Sequence, residues 1–473
     1  MRYDLVLEGE ITPDDAQRGR YRLLPFELPA GVCRLELVLH YTGMAPPNVD
    51  APGSVQLDLG LYDPRGSDFL APDGFRGWSG TSRRAIWIEP RRATPGYLPG
   101  SLPPGRWQAL LGLSEVPCGT HYWLQVAAVV DALRPDPPEE RPRTGPAPPR
   151  PERWPAPGPR WVPGDLHTHT HHSDGENTAE ELVSASRARG LEYLAVTDHN
   201  TVSHHAELPE LSARHGLPLI PGEEVTTYLG HANTWGLSEL ADFRCEDWEQ
   251  LERLRRWLGE RGALLSANHP KRDGPDWRFP EPETFRCMEV WQAPWRWRNE
   301  ESLARWERLL AKGLRVAAVG GSDTHSVPPA RPRHSHGPGQ PTTWLFVKQE
   351  VTVSALLEAI AAGHAVITSE PNRQRLDVRG GDDGGLLPGD DAPRDVPLRL
   401  RCHVHGGGSH RLLVRSDRGV LAEHRVVGDD ERVELVARPG DARYARVELR
   451  GFRGAPERGE VVAALANPFY FRS

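Results

Sequence analysis

Between residues 161 and 370 the chain alternates strand-like and helix-like stretches, and this alternation limits the fold more than any other feature. Thr178 with Glu181 predicts a capping box that opens a helix ending near Gly190. The buried-strand pattern Leu191 to Thr197 follows, then a helical stretch near 206–215 and the short run Leu217-Pro-Leu-Ile220. The series continues with a helix near 247–261, strands at 263–267 and 287–291, and a helix near 299–312. Strands at 314–319 and 343–347 and a helix at 353–362 close it. Repeated β–α units imply a parallel sheet, here curled into a barrel.

A chain of 473 residues exceeds one ordinary hydrophobic core, so further domains are expected on either side. Residues 1–133 hold short apolar runs bounded by Gly and Pro, such as Cys33 to Leu39 and Val55 to Leu61, which alternate apolar and polar positions. No convincing helix interrupts them, and a β-sandwich is expected. Residues 134–160 are so rich in proline that they cannot supply ladder or helix donors, which predicts an extended linker. The central unit then spans 161–370, and residues 371–473 return to strand-like runs separated by Gly-rich turns, a small β domain. His403 and His405 lie two apart on one such strand, lack an accompanying carboxylate–histidine set, and are expected to be exposed strand residues without a metal.

Composition removes several classes of function. The formal charge is −8, and only Lys271, Lys312 and Lys348 are lysines. Acidic residues outnumber basic ones and no basic run stands out, so no stable nucleic-acid partner is expected. No apolar stretch approaches a membrane span and the N-terminus carries no secretory pattern, so no membrane association is expected. Five scattered cysteines form neither a disulfide framework nor a Cys-x-x-Cys site, which points to a reducing, cytoplasmic setting.

The chemistry sits at strand ends. Asp165-Leu-His-Thr-His-Thr-His-His-Ser-Asp-Gly175 places His167 and His169 two residues apart, so both imidazoles point to one side, and Asp174 follows in a turn that can bring a carboxylate back. His171 and His172 are read as non-ligands. Thr197-Asp-His-Asn200, Pro221-Gly-Glu-Glu-Val225, Ala267-Asn-His-Pro270 and Gly320-Gly-Ser-Asp-Thr-His325 recur in the same relation to later strands, and Gly230-His231 stands just before a strand-like run. Such a series forms a converging ring of N and O ligands. A histidine-rich surface loop explains the first motif alone but not the whole set.

Taken together, these motifs resemble the sequential motifs of the PHP (polymerase and histidinol phosphatase) superfamily over about residues 162–370. The resemblance implies a distorted seven-stranded β/α barrel holding two or three divalent ions, Mn, Zn or Fe, flanked here by β-sandwich-like domains. The stretches DLGLYDPRG, FRGWSGTSRRAIWI, ATPGYLPGSLPPGRW, GHANTWGL and ALANPFYF further resemble the CehA/McbA-like branch. By this resemblance one metal takes His167, His169, Glu224 and Asp323. A second shares Glu224 and adds His231 and His269, and a third takes Asp174, His199 and His325. Glu224 is chosen over Glu223 because the family motif places its glutamate immediately before the apolar residue, here Val225. Asp165 and Asp198 are expected to orient imidazoles from behind. Glu289 is a weaker site candidate.

The expected enzyme is a metal-dependent hydrolase using a metal-activated water, with Glu224, Asp323 and His325 at the reacting centre. The first reading is a phosphoesterase acting on a small phosphorylated molecule or nucleotide, with Lys271 and Arg272 holding the phosphate. The second is a carboxylic ester or carbamate hydrolase, and the third a non-catalytic scaffold. Ser173 and Ser322 are expected to shape turns. The tryptophans from Trp291 to Trp297 either stack a substrate ring or pack the outer shell, and the loop from Ser326 to Pro341 is either a lid or a plain surface loop. Oligomeric state is not readable from the sequence.

Overall fold

The computed structural model describes residues 2–43, 53–130, 158–272, 275–327, 336–452 and 460–472. Most of the proline-rich segment therefore lies outside the described residues, as do residues 328–335 of the possible lid. The fold is multidomain, dominated by sheet, with few helices. No helix among the described residues is long and apolar enough to cross a membrane.

The N-terminal residues form two antiparallel four-stranded sheets. One runs Arg2–Ile11, Thr120–Val130, Val32–Tyr41, Ala85–Ile88, and the other Tyr21–Leu28, Gly105–Glu115, Gln56–Tyr62, Phe75–Gly80. Alternation along Val32–Tyr41 buries Leu35, Leu37 and Leu39 in one core with Leu124 of the paired strand and Leu57, Leu59 and Leu111 of the second sheet. A short helix, Pro13–Arg18, does interrupt these strands, contrary to the sequence reading. It is capped by Thr12 and Asp15, each side chain answering the other's backbone N–H.

The central unit has the expected helices: Ala179–Ala188, Leu208–His215, Trp248–Glu260, Asn299–Ala311 and Val353–Ala362. The sheet differs from the parallel barrel that was expected. Strands Arg160–Asp165, Tyr193–Val196 and Leu219–Thr227 pair in parallel, as do Leu264–Ala267, Cys287–Gln292 and Ala317–Gly321. Between the two sets, Gly230–Trp235 pairs antiparallel with both neighbours. The ladder is not closed among the described residues. Where Ala317–Gly321 meets Thr342–Val347, side chains replace it: Thr343 Oγ1 bonds the Gly320 N–H (2.9 Å) and C=O (2.7 Å), and Asn467 bonds the Ala318 N–H (2.7 Å) and C=O (2.9 Å). Each brings a donor and an acceptor to an edge that would otherwise bury unpaired backbone.

Past residue 371 the sheet continues rather than ending. Ala365–Thr368 pairs with Glu460–Ala466, which leads through Tyr444–Phe452 to Arg411–Ser416 and Gly419–Arg425. A three-stranded sheet, Arg375–Gly380, Leu398–His405, Asp430–Ala437, covers one face. Arg446 is fully buried over the Trp306 ring and paired with Glu448 (2.6 Å) and Glu307, tying these strands to helix Asn299–Ala311.

Candidate metal centre

The ends of the central strands bring the nine predicted ligands to one place. Asp323 N–H donates to His167 O (2.8 Å) and His169 N–H to Thr324 O (3.0 Å), so the segments after Arg160–Asp165 and Ala317–Gly321 lie side by side. This approach needs Gly321: a Cβ there would stand 2.2 Å from His167 Cβ. Asp323, with φ +53°, sits in the left-handed region that non-glycine residues seldom adopt, as backbone at functional sites often does.

Glu224 occupies the middle. Its Oε1 lies 3.3 Å from His167 Nε2 and 3.2 Å from both His231 Nδ1 and His269 Nε2, and its Oε2 lies 2.9 Å from His199 Nδ1 and 3.5 Å from His169 Nε2. Asp323 Oδ1 is 2.9 Å from His169 Nε2 and 3.3 Å from His167 Nε2. Asp174 Oδ1 lies 3.2 Å from His325 Nε2 and 3.5 Å from His199 Nε2. His169 faces this third group as well, and His199 stands between it and Glu224. Glu223 points the other way, where Oε2 accepts the Ala241 N–H (2.8 Å).

Charge follows from this crowding. Burial alone would raise the Glu224 carboxyl, yet His167, His199 and His231 hold it well below the usual range. Burial likewise works against the His325 cation, and the Asp174 and Asp323 carboxylates outweigh it, raising the imidazole to about 10. His169 falls to about 4, through burial and then through His325 and His199 beside it. Burial pushes Glu223 well up, consistent with a neutral carboxyl outside the cluster.

Several buried donor atoms carry no well-directed hydrogen bond: His167 Nε2, both ring nitrogens of His169, Glu224 Oε2 and His269 Nδ1. Atoms in this state are costly unless something coordinates them. A mixed imidazole–carboxylate set suits Mn, Zn or Fe, so the residues fit divalent ions.

A surrounding layer fixes the ring orientations. Glu289 Oε1 lies 2.9 Å from His167 Nδ1, Thr226 Oγ1 2.6 Å from His199 Nδ1, and Asp323 O 3.0 Å from His325 Nδ1. Asn268 Nδ2 donates to Glu224 Oε1 (2.9 Å) and Gln292 Nε2 to Asp323 Oδ2 (2.8 Å). Thr226, Asn268 and Gln292 were not singled out in the sequence, although Asn268 falls inside the motif Ala267-Asn-His-Pro270. Asp165 and Asp198 orient backbone rather than ligand imidazoles. Asp165 accepts the N–H groups of His167, Ser322 and Gly339, and Asp198 accepts Thr170 N–H, Thr170 Oγ1 and Ser173 Oγ, with its nearest imidazole that of His204. Ser322 Oγ accepts the Thr324 N–H (3.2 Å), a turn contact, and donates to the distant His167 O (3.3 Å). His172 bonds Ser203 Oγ (2.7 Å) and Glu207 Oε1 (3.0 Å) instead of joining the cluster.

The N-terminal sheets reach this centre. Arg83 donates to Ser173 O (2.8 Å) and to His171 O, on either side of the turn leading into Asp174. Gly96 bonds Ser203 Oγ through its N–H (3.1 Å) and accepts from Thr201 Oγ1 (2.9 Å); a Cβ there would press within 2.8 Å of His172 O. The substrate candidates are placed less directly. Lys271 Nζ is half-buried and bonds Gln292 O (3.2 Å) and Asn299 Oδ1 (3.0 Å), and burial lowers it to about 8 despite the nearby Glu289 and Asp323. Arg272 is exposed and paired with Glu301 (2.9 Å). Trp291 and Trp295 are buried against each other, 4.6 Å apart, which is the packing alternative.

Residues 165–267 match the PHP domain. Three curated relatives share short segments with it. The phosphoribosyl 1,2-cyclic phosphate 1,2-diphosphodiesterase of Eggerthella lenta is 39% identical over 14% of this chain and 24% of its own length. The 3',5'-nucleoside bisphosphate phosphatase of Chromobacterium violaceum is 39% identical over 14% of this chain and 23% of its own length. The 5'-3' exoribonuclease Rnm of Escherichia coli is 45% identical over 13% and 22%. The chain thus spans about a quarter of the length of these relatives. A solved structure from Bacteroides vulgatus, described as a two-domain protein containing a predicted PHP-like metal-dependent phosphoesterase, is 17% identical, with a TM-score of 0.39, over 67% of this chain and 97% of that one.

Proposed function

We propose that the protein is a metal-dependent phosphoesterase acting on a small phosphorylated molecule or nucleotide, with its PHP domain as the distorted barrel of the active site. The observation that carries this reading is the buried Glu224 carboxylate ringed by five imidazoles, with Asp323 and Asp174 beside them. In this reading His167, His169, Glu224 and Asp323 hold one ion, Glu224, His231 and His269 a second, and Asp174, His199 and His325 a third. Bound divalent ions supply a more acidic water and charge stabilisation of the attacked and leaving oxygens. The chain's own part is orientation. Glu289 holds Nδ1 of His167, and the Asp323 carbonyl holds Nδ1 of His325, so that each Nε2 faces the centre. Gln292 occupies Asp323 Oδ2 and leaves Oδ1 on the histidine side. The names of the curated relatives, a cyclic-phosphate diphosphodiesterase, a nucleoside bisphosphate phosphatase and an exoribonuclease, support the same class.

Hydrolysis of a carboxylic ester or carbamate is the second reading, in keeping with the CehA/McbA-like motifs. It is favoured by the engagement of Lys271 with Gln292 and Asn299 and of Arg272 with Glu301, since a neutral ester needs no cation directed at it. Metal analysis of the purified protein, with parallel assays on a phosphate monoester, a phosphodiester and a naphthyl ester, tests both. Chelation should abolish phosphate-ester turnover and Mn or Zn should restore it; full activity after chelation would sink the proposal. Lys271→Ala should cost about tenfold on phosphate esters, the worth of one charge-assisted contact, and little on the naphthyl ester. Equal losses on both would make Lys271 a structural residue.

A further inference from the structure

The exposed face of the C-terminal three-stranded sheet carries a second group of metal-type donors. His403 and His405 alternate onto one side of Leu398–His405, and the ladder sets His405 directly opposite Asp430 on the adjacent strand. That carboxylate, which the sequence could not bring into view, reaches both rings: Oδ1 is 2.5 Å from His403 Nε2 and Oδ2 is 3.7 Å from His405 Nδ1. The ring centroids stand only 3.9 Å apart, and one ligand atom from each of the three residues falls within 4.8 Å of the others.

The backbone beneath is fixed. Gly406 N–H donates to Asp429 O (2.6 Å), extending the ladder past His405, and Gly406 turns with φ +67° where a Cβ would stand 2.6 Å from Arg373 O. The donors therefore start from adjacent, paired positions, and only side-chain torsions remain to be set. Neighbouring charges on this face balance. Arg432 lies opposite His403 and Arg375 opposite His405. Arg375 is engaged by Asp377 (2.9 and 3.0 Å) and lies over the Trp344 ring. Exposures of 24% for His403, 36% for His405 and 68% for Asp430 leave an approach open to solvent.

We propose that His403, His405 and Asp430 form a peripheral divalent-metal site, on a different sheet from the Glu224 cluster. Two imidazoles and one carboxylate select a borderline ion such as Zn, Ni or Cu over Mg or Ca, which prefer all-oxygen sites. Three protein donors leave coordination positions to water, so the site is an exchangeable one rather than a closed structural centre.

The test is equilibrium dialysis of the full chain against Zn²⁺, comparing wild type with the double variant His403→Gln/His405→Gln and with Asp323→Ala. The double variant should bind one zinc fewer per chain and keep its phosphate-ester turnover. Asp323→Ala should lose turnover but keep the peripheral zinc, so failure of the proposed function and failure of this site are told apart. Cu²⁺-loaded Asp323→Ala should show nitrogen coupling in its electron paramagnetic resonance spectrum, and adding His403→Gln/His405→Gln should lower that signal by one copper per chain, the imidazoles around Glu224 accounting for the rest. Asp430→Asn, which leaves both imidazoles and the fold's packing in place, should weaken zinc here by at least the roughly tenfold that even an outer partner is worth. Equal zinc content in wild type and double variant, or undiminished affinity in Asp430→Asn, would overturn the site.

Discussion

Glu289 lies within the strand Cys287–Gln292 with its two oxygens divided: Oε1 faces His167 Nδ1 at 2.9 Å, and Oε2 accepts the His269 N–H at 2.9 Å. One carboxylate thus fixes the ring of one proposed ligand and the backbone of another. Glu289→Gln keeps the shape but removes a charge that, after those of Asp323 and Glu224, makes His167 more basic, and should cost about 10- to 100-fold in metal affinity or activity. Asp323→Ala and His169→Ala remove donors themselves and should drop hydrolysis to background while the circular-dichroism spectrum stays native. Unchanged turnover in either, with unchanged metal content, would refute the ligand assignment. The proposed donors could be singled out in the sequence because they recur in six short motifs at or beside strands. Gln292, Asn268 and Thr226 were not, because what singles them out is which partner they meet in space.

At the scale of elements, the helices were legible and the strand pairing less so. Thr178 and Glu181 do cap Ala179–Ala188, and the apolar spacing of Trp248–Glu260 buries Leu251, Leu254 and Leu258. Leu217-Pro-Leu-Ile220 was read as a short run. The strand instead runs Leu219–Thr227 and turns straight back into Gly230–Trp235, an antiparallel pair with no helix between. Tertiary pairing overrode the local signal. The motif loop shows the same dependence on distant partners. Arg83, from the N-terminal sheets, holds the carbonyls of His171 and Ser173, and Asp198 holds Thr170 and Ser173 from beneath. Arg83→Ala would leave those carbonyls without their cation and let Asp174 drift. Turnover should fall between about 10- and 100-fold, as small misplacements at a reacting centre do. Metal stoichiometry and kcat measured together check this, and an Arg83→Ala enzyme with wild-type kcat would show that the N-terminal sheets do not position the loop.

Across the whole molecule, the N-terminal sheets and the central unit share an aromatic seam in which Trp78 meets Phe243 (4.8 Å) and Tyr21 meets Tyr228 (5.4 Å). Asp58 is buried in this seam and accepts the Tyr228 hydroxyl at 2.5 Å. Burial raises its carboxyl to about 7, only partly offset by that hydrogen bond. An acid raised in the folded state holds its proton while the unfolded chain has already released it. Between the ordinary carboxyl value of 3.8 and about 7 the folded protein binds more protons, so stability falls as pH rises through this window. Below it the penalty is absent, and above it the penalty is complete, at most about 4 kcal/mol. Asp58→Asn keeps an acceptor for Tyr228 and cannot ionise. Its urea midpoint should match wild type near pH 4 and exceed it increasingly up to pH 8. The variant comparison cancels the titration of the histidine cluster, which both proteins share. Midpoints that stay parallel from pH 4 to 8 would show that Asp58 ionises without cost, and that the seam is wetter than its burial implies.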